Sequence, residues 1–117
     1  MLFGFSVFVR NEMQSLPELL TLVEPYVEEI VVLDTGSTDG LWPYLRSLES
    51  EKFPKIRPYR LNIPFDAEHF NFGYTRSVAA HLNKCEYVLM LDADERMNSA
   101  EISILRDKVV PDMKKND

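Results

Sequence analysis

Two short stretches carry residue types that chemistry needs. In "VVLDTGSTDGLW", Val31 to Trp42, an apolar run ends in Asp34 and opens into a turn of hydroxyls and glycines. In "YVLMLDADERM", Tyr87 to Met97, a wholly apolar run ends in Asp92-Ala93-Asp94-Glu95. Two carboxylates one residue apart at a strand end can turn toward one cleft and hold a hard divalent cation through oxygen. Magnesium or manganese at such a site completes its shell with water and substrate phosphate. Asp-Thr-Gly-Ser taken alone also matches the catalytic loop of an aspartic protease, where paired subunits share one proton between two carboxylates. Each stretch has a plainer reading too, the first as strand, turn and helix cap, the second as acidic residues that begin a loop.

The elements that must position these residues come from hydrophobic periodicity. Apolar runs of strand length alternate with segments of helical period, which predicts a parallel sheet covered by helices. Phe3 to Val9 reads as the first strand. Ser15, Pro17 and Glu18 read as the start of a helix, with Ser15 as N-cap and Glu18 as its capping-box partner. Leu16, Leu19, Leu20 and Val23 form its apolar stripe. A second strand follows at Glu29 to Leu33, then a helix carrying Leu41, Tyr44, Leu45 and Leu48, whose start Asp39 or Thr38 can cap. Ile56 to Ile63 reads as a third strand interrupted by Pro58. A polar and aromatic loop with Pro64 leads to a helix over about Phe72 to Lys84 and a buried strand from Tyr87. Asn98 with Glu101 is expected to cap a last helix that turns Ile102, Leu105 and Val109 inward, before Pro111 and a fraying charged tail.

Composition narrows the classes. A chain of 117 residues, 45% hydrophobic and 27% charged, fits a single soluble domain. A net charge of −6 and a pI near 4.9 argue against a nucleic-acid partner, which calls for a basic face. The single cysteine, Cys85, rules out an internal disulfide framework, fits a reducing, cytoplasmic compartment, and reads as a small packed residue. "MLFGFSVFV" has no positive leader and is far short of the roughly 20 residues of a membrane span, so no span is expected.

This organisation excludes the protease. Aspartic proteases are nearly all β with glycine-rich hairpins, whereas this chain has 4 glycines in total and several helical stripes. The loop after Asp34 instead lies where open α/β sheets bind ligands, beyond the carboxyl end of a strand. A phosphatase of the haloacid-dehalogenase type also opens with apolar residues before Asp-x-Asp. There the motif sits on the first strand and is followed by Thr or Val, whereas here it falls on about the fourth strand with Arg96 in that position.

Four stretches in order, "VRNE", "EIVVLDTGSTDG", "FNFGYTRSVAAHL" and "YVLMLDADE", give a more specific match. Over most of its length the chain resembles the N-terminal nucleotide-sugar-binding half of GT-A-fold family-two glycosyltransferases, a subset of which carries Asp-Thr-Gly-Ser-Thr-Asp-Gly. The resemblance implies a mostly parallel, Rossmann-like α/β half domain of about four strands flanked by helices. One such domain would fill residues 1–117, without the acceptor-binding half. It would bind a nucleotide-diphosphate sugar, a UDP-sugar, with Mn2+ or Mg2+, for inverting glycosyl transfer.

Residue by residue, the resemblance places Asp34 on the nucleoside, and Arg10, Asn11 and Glu12 on the base and ribose side. Arg76 matches the family's Ala-Arg-Asn element and would reach the diphosphate, with Ser77 standing where the family has Asn. Asp92 and Asp94 become the metal motif, Asp94 as direct ligand and Asp92 nearer the ribose or a metal-bound water. No catalytic base is assigned: Glu95 adjoins the metal motif without a family role as base, His81 reads as a surface or packing residue, and His69 could approach a phosphate. The aromatic run around Phe65 to Tyr74 reads as a lid or as packing plugs. The acceptor stays unassigned, and self-association or completion by another subunit is a candidate partner arrangement. The alternative function is a noncatalytic, truncated binding or assembly module of the same fold.

Overall fold

The computed structural model describes residues 1–50, 53–62 and 71–116. The described strands are β1 (Phe3–Val9), β2 (Ile30–Asp34), β3 (Ile56–Arg60) and β4 (Tyr87–Met90). The helices are α1 (Leu16–Val23), α2 (Leu41–Ser50), α3 (Phe72–Leu82), α4 (Ser99–Ile104) and α5 (Val110–Lys115), with a π-type stretch Leu105–Val109 between the last two. The strands form one parallel sheet in the order β3-β2-β1-β4. The chain therefore runs outward from β1 through β2 to β3, then returns to the other side of β1, so the strand order reverses between β1 and β4. Crevices at the carboxyl ends of strands around such a reversal are where open α/β sheets take ligands.

β1 and β2 are central and covered on both faces, which is why they read as continuous apolar runs rather than alternating ones. Phe3, Phe5, Val7 and Val9 join Leu16, Leu19, Leu20, Leu41, Leu45 and Ile102 in the main core. Burying each such side chain stabilises the fold by about 1.5–3 kcal/mol, so the α1 stripe alone ties that helix firmly to the sheet. The opposite face of β1 carries Gly4, Ser6 and Phe8 beneath α3 and the segment that follows it. Asn83 donates to Phe5 O and Ser6 Oγ and accepts from Cys85 N. A Cβ on Gly4 would lie 2.6 Å from Asn83 Oδ1 and 2.7 Å from Cys85 Sγ, so this close approach requires glycine. Cys85 is buried, as its reading as a packed residue requires.

Most elements fall where periodicity put them, and several details differ. β2 begins and ends one residue later than expected, taking Asp34 into the strand. β3 ends at Arg60, with Leu61 and Asn62 already outside the strand; its expected end at Ile63, the loop at Pro64 and His69 lie outside the described residues. Pro58 is accommodated because β3 is an edge strand: Leu61 N donates to Asp34 O, so by two-residue alternation the proline nitrogen faces away from β2. The Ser15–Glu18 capping box does not form. Ser15 has φ −105° and ψ −35°, helical rather than extended, and its own N–H and that of Leu16 donate to Glu12 O. A cap residue needs an extended backbone to aim its oxygen at the next turn.

β4 is shorter and less buried than expected, ending at Met90 with all its residues half-buried, because it forms the other edge of the sheet. Tyr87 N donates to Leu2 O, which turns the N–H groups of Val88 and Met90 away from β1. Beside β4 lies an apolar groove of about 170 Å³ lined by Phe3, Tyr87, Leu105, Val109 and Met113 among others. At the last helix, Asn98 caps as expected by accepting from Ala100 N, and Ile102 is buried. Leu105 is only half-buried and Val109 is exposed, while Val110 takes the inward place. Pro111 does not end the helix: lacking an N–H, it fits the first turn of α5, and the wider Leu105–Val109 turn precedes it and shifts the stripe by a residue.

Candidate functional site

The loops after β1, β2 and β4 converge at the strand-order reversal. After β1 the chain turns through Asn11, whose φ of 55° is the one positive value among described non-glycine residues. Asparagine tolerates this left-handed region better than most residues because its short amide bonds locally. Here Asn11 N donates to Ser37 Oγ at 2.9 Å, and Asn11 Oδ1 accepts from Thr38 N at 2.7 Å. Asp39 adds a second tie, accepting from Met13 N at 3.0 Å and from Leu41 N at 3.2 Å, which also caps the start of α2. The β1 and β2 loops thus form one hydrogen-bonded unit.

Asp34 closes that unit from below. Its Oδ1 accepts from Gly36 N at 2.8 Å and Ser37 N at 2.7 Å, and the side chain is fully buried. Gly36, at φ 123°, supplies the backbone conformation the turn needs. Asp34 Oδ2 is buried and, among the described residues, has no hydrogen-bond partner. An ionisable oxygen left without a partner inside a fold is costly unless something else meets it.

Above this loop lies a cavity of about 220 Å³ lined by Phe8, Val9, Arg10, Glu12, Thr35, Asp92, Ala93 and Asp94. A second, of about 240 Å³, is lined by Phe8, Arg76, Met90, Leu91, Asp92 and Glu95. Phe8 and Asp92 belong to both. Arg76 Nη2, on α3, stands 3.8 Å from Asp92 Oδ1 across the second cavity, with both side chains more than half exposed. An exposed pair at that distance is worth about 0–1 kcal/mol, so the arginine is held loosely and can turn to another anion.

The acidic turn after β4 is built from its own backbone. Asp92 N donates to Glu95 Oε1 at 2.7 Å, and Glu95 N donates to Asp92 O at 2.9 Å. Glu95 thereby has one carboxylate oxygen committed to the turn. Among the described residues no group of three or more His, Cys, Asp or Glu gathers into a metal cage. Asp92 and Asp94 nevertheless face one cavity, and one or two carboxylates completed by water and phosphate are the donor set magnesium and manganese use.

Of the residues singled out in the sequence, Arg10, Glu12, Asp92 and Asp94 meet in the first cavity, and Arg76 meets Asp92 in the second. Asn11 and Asp34 lie at the same end of the sheet but are engaged with the loop rather than lining either cavity. His81 is exposed on the last turn of α3, with its Nδ1 2.8 Å from Ser77 O, away from both cavities. Sequence reading missed Phe8, because a strand buried on both faces shows no alternation to mark the residue that reaches the cleft. It also missed Thr35 as a wall, although its place directly after the strand end was visible.

Comparison with known proteins follows the same outline. Residues 6–112 match the model of a family described as glycosyl transferase family 2. A TPR repeat-containing protein of Synechococcus elongatus is 32% identical over 91 residues, which cover 78% of this chain and 20% of that protein. The N-terminal region of S. aureus TarS, residues 1–349, superposes with a TM-score of 0.70 at 23% identity, covering 93% of this chain and 31% of that one. The same TarS region in complex with UDP superposes with a TM-score of 0.62 at 24% identity, covering 85% of this chain and 29% of that one. The chain thus spans about a fifth to a third of the length of these relatives.

Proposed function

The chain belongs to glycosyl transferase family 2, and from that premise we propose that its two joined cavities bind a nucleotide-diphosphate sugar, a UDP-sugar, together with Mn2+ or Mg2+, for inverting glycosyl transfer. The observation that carries this reading is the position of Asp92. It forms a wall common to both cavities at the strand-order reversal, with Asp94 on one side and Arg76 on the other. Each cavity alone is smaller than the ~300–1,000 Å³ usual for small-molecule sites, so a nucleotide sugar has to occupy both and pass over Asp92.

In this arrangement Arg10 and Glu12 flank the nucleoside in the first cavity, and the unpartnered Oδ2 of Asp34 is the acceptor for a base N–H once the Arg10 and Thr35 wall admits it. A buried acceptor of this kind discriminates strongly against a base that lacks the matching donor. Asn11 holds the loop that presents that wall. Arg76 turns from Asp92 to the diphosphate, whose paired oxygens suit the planar guanidinium better than one carboxylate oxygen 3.8 Å away. Asp92 and Asp94 hold the divalent ion, which when bound supplies neutralising charge to the departing diphosphate. Inversion requires an acceptor hydroxyl to approach the anomeric carbon from the side opposite the diphosphate. Glu95 is poorly suited to deprotonate it, since its carboxylate is tied to Asp92 N.

The UDP complex of TarS and the matched family support the reading of donor chemistry. Calorimetric titration with UDP and UDP-sugars, with and without Mn2+, tests it. Metal-dependent binding that disappears in Asp92→Ala and Asp94→Ala variants is the expected outcome. No binding by the wild-type chain under either condition would leave a fold used only for assembly.

A further inference from the structure

We infer that Arg96 is a positioning residue that fixes the Asp92–Glu95 turn in the conformation that receives a divalent ion, an inference that rests on the donor-site reading above. Asp92 and Asp94 are both exposed and lie on a turn rather than in a strand. Exposed carboxylates on a free turn would sample many relative orientations, and two ligands for one ion need a fixed one. The internal Asp92–Glu95 bonds close the turn, and the buried Ala93 seats it against the core, but neither ties its carbonyls to another element.

Arg96 supplies that tie. Its Nη1 donates to Ala93 O at 2.8 Å and to Glu95 O at 2.7 Å, so both carbonyls that flank Asp94 are held by one nitrogen. Its Nη2 donates to Ser15 O at 2.8 Å, and its Nε donates to Glu18 Oε1 at 3.1 Å. Ser15 and Glu18 stand at the start of α1, whose stripe is anchored in the core. The planar fork of the guanidinium is thus spread over the acidic turn on one edge and a rigid helix on the other. A lysine has its donors on one nitrogen at the end of a flexible stem and cannot span both sets at once. The same contacts account for the failed Ser15–Glu18 capping box: Glu18 turns outward to Arg96 instead of back to Ser15.

The test compares wild type, Arg96→Gln and Arg96→Lys in UDP titrations at a series of Mn2+ concentrations, with amide exchange measured on the same proteins. Outer partners of metal ligands typically change metal affinity by about 10–100-fold. The Mn2+ needed for half-maximal UDP binding should therefore rise about tenfold or more in Arg96→Gln, with UDP binding in the absence of metal unchanged and Arg96→Lys only partly restored. A merely structural contribution would lower the folded fraction and reduce both measurements together. Exchange at the Asp92 and Glu95 amides should quicken in both variants while Val31 and Val32 keep their protection. Wild-type Mn2+ dependence and unchanged exchange in Arg96→Gln would overturn the inference; if that variant fails to fold, Arg96→Lys decides by the same readouts. Should wild type bind no UDP at any Mn2+ concentration, the donor-site reading falls, and the exchange result alone judges whether Arg96 fixes the turn.

Discussion

The junction at Asn11 can be taken apart by two substitutions. Asn11 holds φ at 55° and accepts the Thr38 N–H through its side chain, while its own N–H bonds Ser37 Oγ irrespective of side chain. Asn11→Ala removes the accepted bond, worth about 0.5–1.5 kcal/mol in a partly hydrated setting. It also places a β-carbon with no compensating amide in the left-handed region, where the penalty is roughly 1–2 kcal/mol. Asn11→Gly removes the same bond but is at ease at that φ. We expect Asn11→Ala to lose about 1.5–3.5 kcal/mol and Asn11→Gly about 0.5–1.5 kcal/mol, glycine being the milder change by about 1–2 kcal/mol. Urea unfolding with an unchanged m value gives both numbers. Faster amide exchange at Thr38 in both variants would show that the β2 loop has come loose from β1. Alanine as stable as glycine, or more so, would refute the claim that the backbone is held in a costly conformation.

Two further outcomes concern the face of the sheet beneath α3. Gly4→Ala drives a β-carbon to 2.6 Å from Asn83 Oδ1, and Asn83 is committed to Phe5 O, Ser6 Oγ and Cys85 N, so it cannot withdraw without breaking buried bonds. Thermal and urea unfolding should register a loss of about 2–4 kcal/mol, overpacking and lost hydrogen bonds together; a loss below about 0.5 kcal/mol would mean the strand can shift freely. Burial, with Glu29 nearby, pushes the Cys85 thiol up to about 11. The unfolded thiol ionises first, so the folded chain holds the extra proton and stability falls as pH rises from about 9 to 11. Cys85→Ala should flatten that alkaline slope relative to wild type in unfolding series from pH 8 to 11.

What could be read from the residues was what period and order encode. β1, the α1 and α2 stripes, the Asn98 cap and the parallel α/β class all follow from local pattern, because burial on one or both faces of an element leaves a repeat in the chain. The meeting of Arg10, Glu12, Asp92 and Asp94 was also legible, since all follow strand ends and parallel strands place those ends on one side. The failures are where a partner distant in sequence, or an irregular turn, decides. Ser15 and Glu18 look like a capping pair until Glu12 O takes the Ser15 N–H and Arg96 claims Glu18 Oε1. Leu105 and Val109 keep helical spacing on paper, and one wide turn before Pro111 rotates them off the core. The half-buried state of β4 depended on which strand stood at the rim of the sheet, and no local pattern records that.

The two outer strands leave the sheet with unlike margins. Beyond β3, Pro58 offers no N–H and Arg57 and Arg60 crowd the border with charge, a combination that repels strand addition. Beyond β4, a neutral Tyr-Val-Leu-Met segment, no further strand follows among the described residues, and a shallow apolar trough lies beside it. Among the described residues, lateral extension of the sheet is therefore favoured on the β4 side. A strand added on that side, in either orientation, would bring one of its ends alongside Met90 and Leu91, which line the second cavity.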